Sequence, residues 1–138
     1  MVIPINASLG SADLFSLALE KFISSAEGDF ERLLRKIALQ VLVGTVLLTP
    51  VDTGLLQNNW QVNIGTVTAD VLDANKDKGG AISRAIGKLA AIPNNGIGQV
   101  IFIYNNVEYA IFVEFGTEDM KPRAMLRDTL GAVAISLF

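Results

Sequence analysis

The chain has no cysteine and no histidine among its 138 residues. Without cysteine there is neither a disulfide nor a thiol nucleophile, and without histidine the imidazole base and the Cys/His zinc sites go too. No catalytic, cofactor or metal site is expected. Charge is also sparse: 18% of residues are charged, and 11 basic against 14 acidic side chains leave a net charge of -3. No block of Lys and Arg could neutralise a run of phosphates, so sequence-specific nucleic-acid binding is not expected. The most apolar of the uncharged stretches, Ile37 to Val51, is interrupted by Gln40, Gly44, Thr45 and Pro50. It falls short of the roughly 20 apolar residues that span a bilayer, and no membrane segment is expected. A basic region followed by an apolar block and a cleavage site is missing at the N-terminus, so synthesis in a cytoplasm is the expectation.

Apolar side chains are abundant at 51% of residues. The length fits a single domain over 1–138, with residues 1–12 as a flexible N-terminal arm. So small a domain should wet most of its surface, so part of this excess is expected to meet a partner.

Apolar residues step by threes and fours through Leu19, Phe22, Ala26, Phe30, Leu33, Ile37, Val41, Gly44 and Leu48. This predicts a long amphipathic helix from Asp13 to Leu48, with Gly28 as a point of division and Pro50 as its end. Beyond Lys36 the helix is apolar nearly all round, which predicts enclosure on most sides. Neighbouring copies are the favoured cover, with Val41, Leu42, Val46 and Leu47 as the expected subunit interface.

A turn at Pro50-Val51-Asp52-Thr53-Gly54 leads to a half-buried strand from Trp60 to Thr68. Residues 69–80, rich in Asp, Lys, Asn and Gly, read as a mobile surface loop. A short central helix carries Ile82, Ile86 and Leu89 on one face, and Pro93-Asn94-Asn95-Gly96 closes it. The next strand, Gln99 to Tyr104, is apolar on both faces, as a covered or central strand is. Asn105 or Asn106, with Glu108, is placed to cap a short apolar helix over Val107–Phe115 that Gly116 ends. Pro122 is placed to start a C-terminal helix buried through Met125, Leu126, Leu130, Val133 and Leu137. The fold class is therefore α+β, a long N-terminal helix on a small antiparallel sheet. Two strands make a poor sheet, so a third is expected from Thr66 to Leu72 or from another subunit.

Two features invite chemistry. Asp52-Thr53-Gly54 is the triplet with which dimeric aspartic proteases share a proton between carboxylates. Here it follows a helix and a proline and precedes Leu55, which favours a connection in which Asp52 accepts backbone N–H bonds and Gly54 supplies an unusual angle. Glu114, inside the run Ala110 to Phe115, needs a partner if buried, and Arg123, Arg127 or backbone N–H groups are the candidates. The glycines at Gly79-Gly80 and Gly96-Ile97-Gly98 lack the order of a phosphate loop and read as turns. Trp60, Tyr104 and Tyr109 read as core anchors.

Five segments in order carry a resemblance: Thr49-Pro50-Val51-Asp52-Thr53-Gly54, Asn58-Asn59-Trp60-Gln61-Val62, Asn105-Asn106-Val107-Glu108-Tyr109-Ala110, Val113-Glu114-Phe115-Gly116-Thr117, and Lys121-Pro122-Arg123 before the last helix. Together they resemble a family of tailed-bacteriophage proteins called tail components, tail-completion proteins or neck proteins, over about residues 13 to 135. Leu55, Leu56 and Gln57 depart from the basic residue that family members often carry after the turn glycine. The resemblance implies a virion structural protein of the head–tail joint, forming a ring-like homo-oligomer that lets DNA pass. Its implied partners are the head connector or adaptor and tail terminator or tail tube proteins. A non-virion assembly chaperone is the alternative, and a small aspartic-type protease a remote one. Pro50, Asp52, Thr53, Gly54, Trp60, Asn105, Tyr109, Glu114 and Gly116 are the expected structural motif residues, none of them catalytic.

Overall fold

The computed structural model describes residues 10–25, 30–92 and 100–137. Among them the fold is α+β: helices α1 (Ser11–Ser25), α2 (Phe30–Leu48), α3 (Leu55–Asn58), α4 (Lys78–Ala90), α5 (Ala110–Phe115) and α6 (Met125–Leu137), with strands β1 (Trp60–Ile64) and β2 (Ile101–Asn105). Of the expected N-terminal arm, residues 11 and 12 belong to α1, and 1–9 lie outside the described residues. The side chains of Phe22, Ala26 and Phe30, Gly28 itself, and the expected turns at 93–98 with the strand start at Gln99 lie outside them too.

Helix α2 is the centre of the molecule. Ala38, Leu42 and Val46 enter a core with Trp60 and Val62 of β1, Ala81, Ala85 and Leu89 of α4, and Met125 of α6. Ile37 and Val41, on an adjoining face, meet Val133 of α6 with Phe15 and Leu19 of α1 alongside. Burial of one such aliphatic side chain stabilises by about 1.5–3 kcal/mol. The expected cover by neighbouring copies is corrected here: Val41, Leu42 and Val46 are buried by this chain's own elements, and only Leu47, with Leu48, stays exposed. The reason is geometric. A Cβ on Gly44 would lie 2.6 Å from Thr129 Cγ2, so the glycine lets α6 approach α2 backbone-close and seal one side. Small Ala81 and Ala85 bring α4 close on another. Of the expected Ile82–Ile86–Leu89 face, Leu89 enters the core and Ile82 packs against it, while Ile86 turns outward.

β1 and β2 pair antiparallel, with Trp60 opposite Asn105 and Ile64 opposite Ile101. β1 ends at Ile64 instead of Thr68, because Gly65 takes φ 82° and bends the chain away. Trp60 and Val62 face the core, whereas Gln61 and its partner Tyr104 lie on the opposite face. No third strand forms among the described residues, and β2 is an edge strand, not the covered or central one expected. Residues 78–80 of the expected loop already belong to α4, whose start Asp77 caps by accepting from Gly79 N.

Candidate interaction surface

Pro50 follows the end of α2, where Thr49 N–H turns back to Val46 O at 3.2 Å. Thr49 Oγ1 donates to Thr45 O and accepts from Trp60 Nε1 at 2.8 Å, so the buried indole ties β1 to the last turn of α2. In the turn itself, Gly54 has φ 83°, and a Cβ there would stand 2.4 Å from the Asn75 backbone. No other residue fits without moving that strand of chain. Gly54 O accepts from both Asn58 N and Asn75 N. The expected role of Asp52 is corrected: Thr53 Oγ1, not the Asp52 carboxylate, accepts from Leu55 N. Among the described residues the Asp52 side chain has no hydrogen-bond partner, and it is exposed. The turn opens into the four-residue helix α3, which the pattern of the sequence did not announce.

Residues 68–73 cross the outer face of the sheet, held by side-chain amides. The fully buried Asn59 donates to Leu55 O and Leu72 O and accepts from Leu72 N at 2.6 Å. Asn58 donates to Asp73 O, Gln61 to Asp70 O, and Asn106 to the carbonyls of Thr68 and Asp70. Asn58 in turn accepts from Arg84, whose pKa partial burial lowers. These amides stand in for the missing strand ladder. Sequence reasoning assigned Asn58, Asn59 and Gln61 no physical role, and Asn106, offered there as a helix cap, tethers residues 68–70 instead. A pair of asparagines directly before a strand is the one signal that was available, because a buried amide there must find backbone partners.

Asn105 does not cap a helix. It donates to Leu56 O, joining β2 to α3, and accepts from Val107 N within its own turn. Helix α5 consequently begins at Ala110, not Val107, with Tyr109 at its N-cap and no side-chain cap bond. Gly116, at φ 80°, ends it and takes Phe112 O at 2.7 Å. The loop that follows passes Pro122 and reaches Ala124 at φ 43°, so α6 starts at Met125 and Pro122 is not its first residue.

Glu114 is the link between these two helices. Its carboxylate accepts from Leu126 N at 2.9 Å, Arg127 N at 3.1 Å and Arg127 Nε at 3.0 Å, and its carbonyl accepts from Arg127 Nη2 and Ala124 N. The first N–H groups of α6, which no helix can satisfy internally, are thus capped by a side chain from α5. Arg127 also lies over the Phe115 ring at 4.4 Å.

With Val113 and Glu114 turned inward, α5 presents its other side to solvent. Ile111, Phe112 and Phe115 are 60%, 54% and 59% exposed, and Tyr109 flanks them, so this tyrosine is not the core anchor expected. Leu47, 55% exposed, and Leu48 border a second apolar hollow between α2 and α6, lined also by Gly44 and Ala132. Aromatic and aliphatic side chains grouped on one short helix are the kind of surface that marks a protein contact. Among the described residues no cluster of Asp and Glu could hold a metal ion, and no helix is long and apolar enough to cross a membrane.

Residues 15–116 match the HK97-gp10-like family, described as "Bacteriophage HK97-gp10, putative tail-component". The chain belongs to the HK97-gp10-like family. No curated protein and no solved structure matches it. The HK97-gp10-like span takes in the Gly54 turn, the asparagine tethers and the α5 ridge up to Gly116. The helix that Glu114 caps lies beyond it, so that clamp joins the family region to the C-terminal part of the chain.

Proposed function

We propose that this phage tail component is a structural protein of the head–tail joint, acting at the neck or in tail completion as a ring-like homo-oligomer. One observation carries the reading: Ile111, Phe112 and Phe115 stand exposed on α5 although the same chain encloses its own long apolar helix. A side chain left out of a core that had the means to close points to a partner. Ring closure requires a heterologous contact, in which the ridge of one copy meets a different surface of the next. The hollow beside Leu47 and Leu48 is an apolar surface of that kind. In this reading the ring contacts the head connector or adaptor on one side and tail terminator or tail tube proteins on the other. It is made in the host bacterial cytoplasm, becomes part of the virion, and performs no catalysis. Excess acidic charge in the lumen would weaken adhesion of passing DNA.

Mass spectrometry of purified particles, with light scattering of the isolated protein, tests this. Presence in particles is the expected result, and a Phe112→Asp/Phe115→Asp variant should fold but fail to be incorporated. Absence of the wild-type protein from particles would move the assignment to an assembly chaperone or adaptor. Unchanged DNA release after replacing lumen-facing Asp and Glu by Lys would remove the electrostatic part.

A further inference from the structure

A polar pocket opens between α4 and the tethered segment 68–73. Its volume is ≈ 200 Å³, and it is lined by Gln61 and Asn63 of β1, Thr68 and Asp70 of the segment, and Arg84 and Lys88 of α4. Its walls are held in place by bonds already in the fold. Gln61 and Asn106 donate to Asp70 O, Asn59 accepts from Leu72 N, and Tyr104 Oη accepts from Thr68 N at 3.3 Å. On the helix side Asn58 steadies Arg84, whose Nη1 donates to Asn58 Oδ1 at 3.0 Å and whose Nη2 donates to the Asn58 carbonyl. Lys88 stands one turn further on, on the same face of α4.

These two cations lack a counter-charge. The one ion pair among the described residues joins Arg127 to Glu114, so neither Arg84 nor Lys88 is paired, even with the Asp70 that lines the same pocket. Asn58 offers Arg84 neutral oxygens only, and burial lowers the pKa of the guanidinium with no carboxylate to raise it. Helix α4 carries three charged side chains, Lys78, Arg84 and Lys88, and all are basic in a chain whose net charge is -3. The pocket itself sets two positive charges against one negative, a surplus of one. A single carboxylate neutralises that surplus, whereas a phosphate dianion overshoots it. Duplex DNA presents a charge about every 1.7 Å and needs a run of cations, which this face, with Asp70 in it, does not offer. Size agrees: a cavity of roughly 150 Å³ holds one benzene-sized group, so the pocket takes a side chain and not a folded element.

We propose that this pocket receives an acidic side chain, Asp or Glu, from an exposed segment of a protein partner, with Lys88 and the Nε–H of Arg84 as the charged donors. A guanidinium or ammonium bonded to a carboxylate makes the stronger, charge-assisted kind of hydrogen bond. Asn63 and Thr68 supply neutral hydrogen-bonding groups beside them. Asp70 sets the selectivity by holding the surplus at one charge. The pocket shares no residue with the α5 ridge or the hollow beside Leu47, so the inference does not rest on ring formation.

A titration of the full chain followed by NMR tests it. The probe is an end-blocked pentaglycine peptide with one central glutamate, compared with its glutamine counterpart and with a short DNA duplex. The glutamate peptide should move the signals of Asn63, Thr68 and the Arg84 Nε–H, and the glutamine peptide should not. Lys88→Glu should abolish these shifts, while Lys121→Glu, the same charge change outside the pocket, should bind as wild type does. Asp70→Asn should bind about two- to fivefold more tightly, because it raises the surplus while the segment is tethered through the Asp70 carbonyl and not its carboxylate. Equal shifts with both peptides, or shifts that survive Lys88→Glu, would overturn the proposal. Larger shifts of the same signals with the duplex would overturn the carboxylate and assign the pocket to phosphate.

Discussion

Replacing Glu114 by Ala removes an acceptor from two α6 N–H groups and from Arg127 at once. Loss of such a cap and of its charged pair should cost about 2–3 kcal/mol, read as a lower urea midpoint with an unchanged slope. Glu114→Gln keeps one carbonyl acceptor and should lose less. Trp60→Phe keeps an aromatic ring but loses the bond to Thr49 and part of the indole volume, at about 1–3 kcal/mol, whereas Trp60→Ala should cost about 3–5 kcal/mol. Equal effects of the two would mean that the indole N–H, not the ring volume, holds β1 to α2. The two residues show what kind of role a sequence reveals. Glu114 stood out because a carboxylate in an apolar run needs a partner, and its partners were among those the composition offered. Asp52 stood out for the triplet around it, yet Thr53 takes the turn bond. Asn59 gave no such sign, although it is fully buried and makes three bonds, since nothing in a polar pair says which distant carbonyls it will meet.

Among the elements, the period of α2 was plain in the sequence, but what would cover it was not. The cover depends on Gly44, which read as a mere step in an apolar stripe and in fact sets the distance between α2 and α6. Gly44→Ala should push Thr129 aside and loosen that contact, costing about 1–3 kcal/mol as overpacking does. Thermal unfolding of Gly44→Ala alone and with Thr129→Ser checks this, and the second change should recover part of the loss by removing the clashing methyl. The short helices were the hardest to foresee. α3 is a single turn started by a glycine, and α5 loses its first turn because Asn105 bonds to Leu56 instead of capping. Both outcomes are decided by partners far along the chain, which local pattern does not contain. The stretch 69–77 illustrates the same point: its composition is that of a loop, and its restraint comes from amides elsewhere. Asn59→Ala should therefore raise amide exchange at Leu72 well before it affects Asn63, which is paired with Phe102 in the β1–β2 ladder.

At the scale of the whole molecule, the fold class and the family were both legible, the former from hydrophobic period and the latter from five short segments in order. The exposed apolar ridge on α5 was not. The apolar excess read from composition is real: α5 exposes Ile111, Phe112 and Phe115 together, whereas α2 exposes only Leu47 and Leu48 at its end. Aspartates at Leu47 and Leu48 should leave the melting temperature within a few degrees of wild type, because both side chains are already half in water. In the same variants the mass by light scattering, or incorporation into particles, should fall. A variant pair that melts early instead would show that these leucines belong to the monomer's own packing.

The Glu114 clamp also has a mechanical meaning. Phe112 and Phe115 sit on a helix of six residues that is anchored at its far end by Glu114, so tension applied to the ridge runs through hydrogen bonds into the first turn of α6. From there it passes to α2 and α1 through the face that carries Thr129, Val133 and Ala134. Gly116 lies beyond the clamp, so the chain cannot yield there until Glu114 lets go. A neighbour pulling on the ridge would therefore load three helices together, through bonds gathered largely on one residue, Glu114.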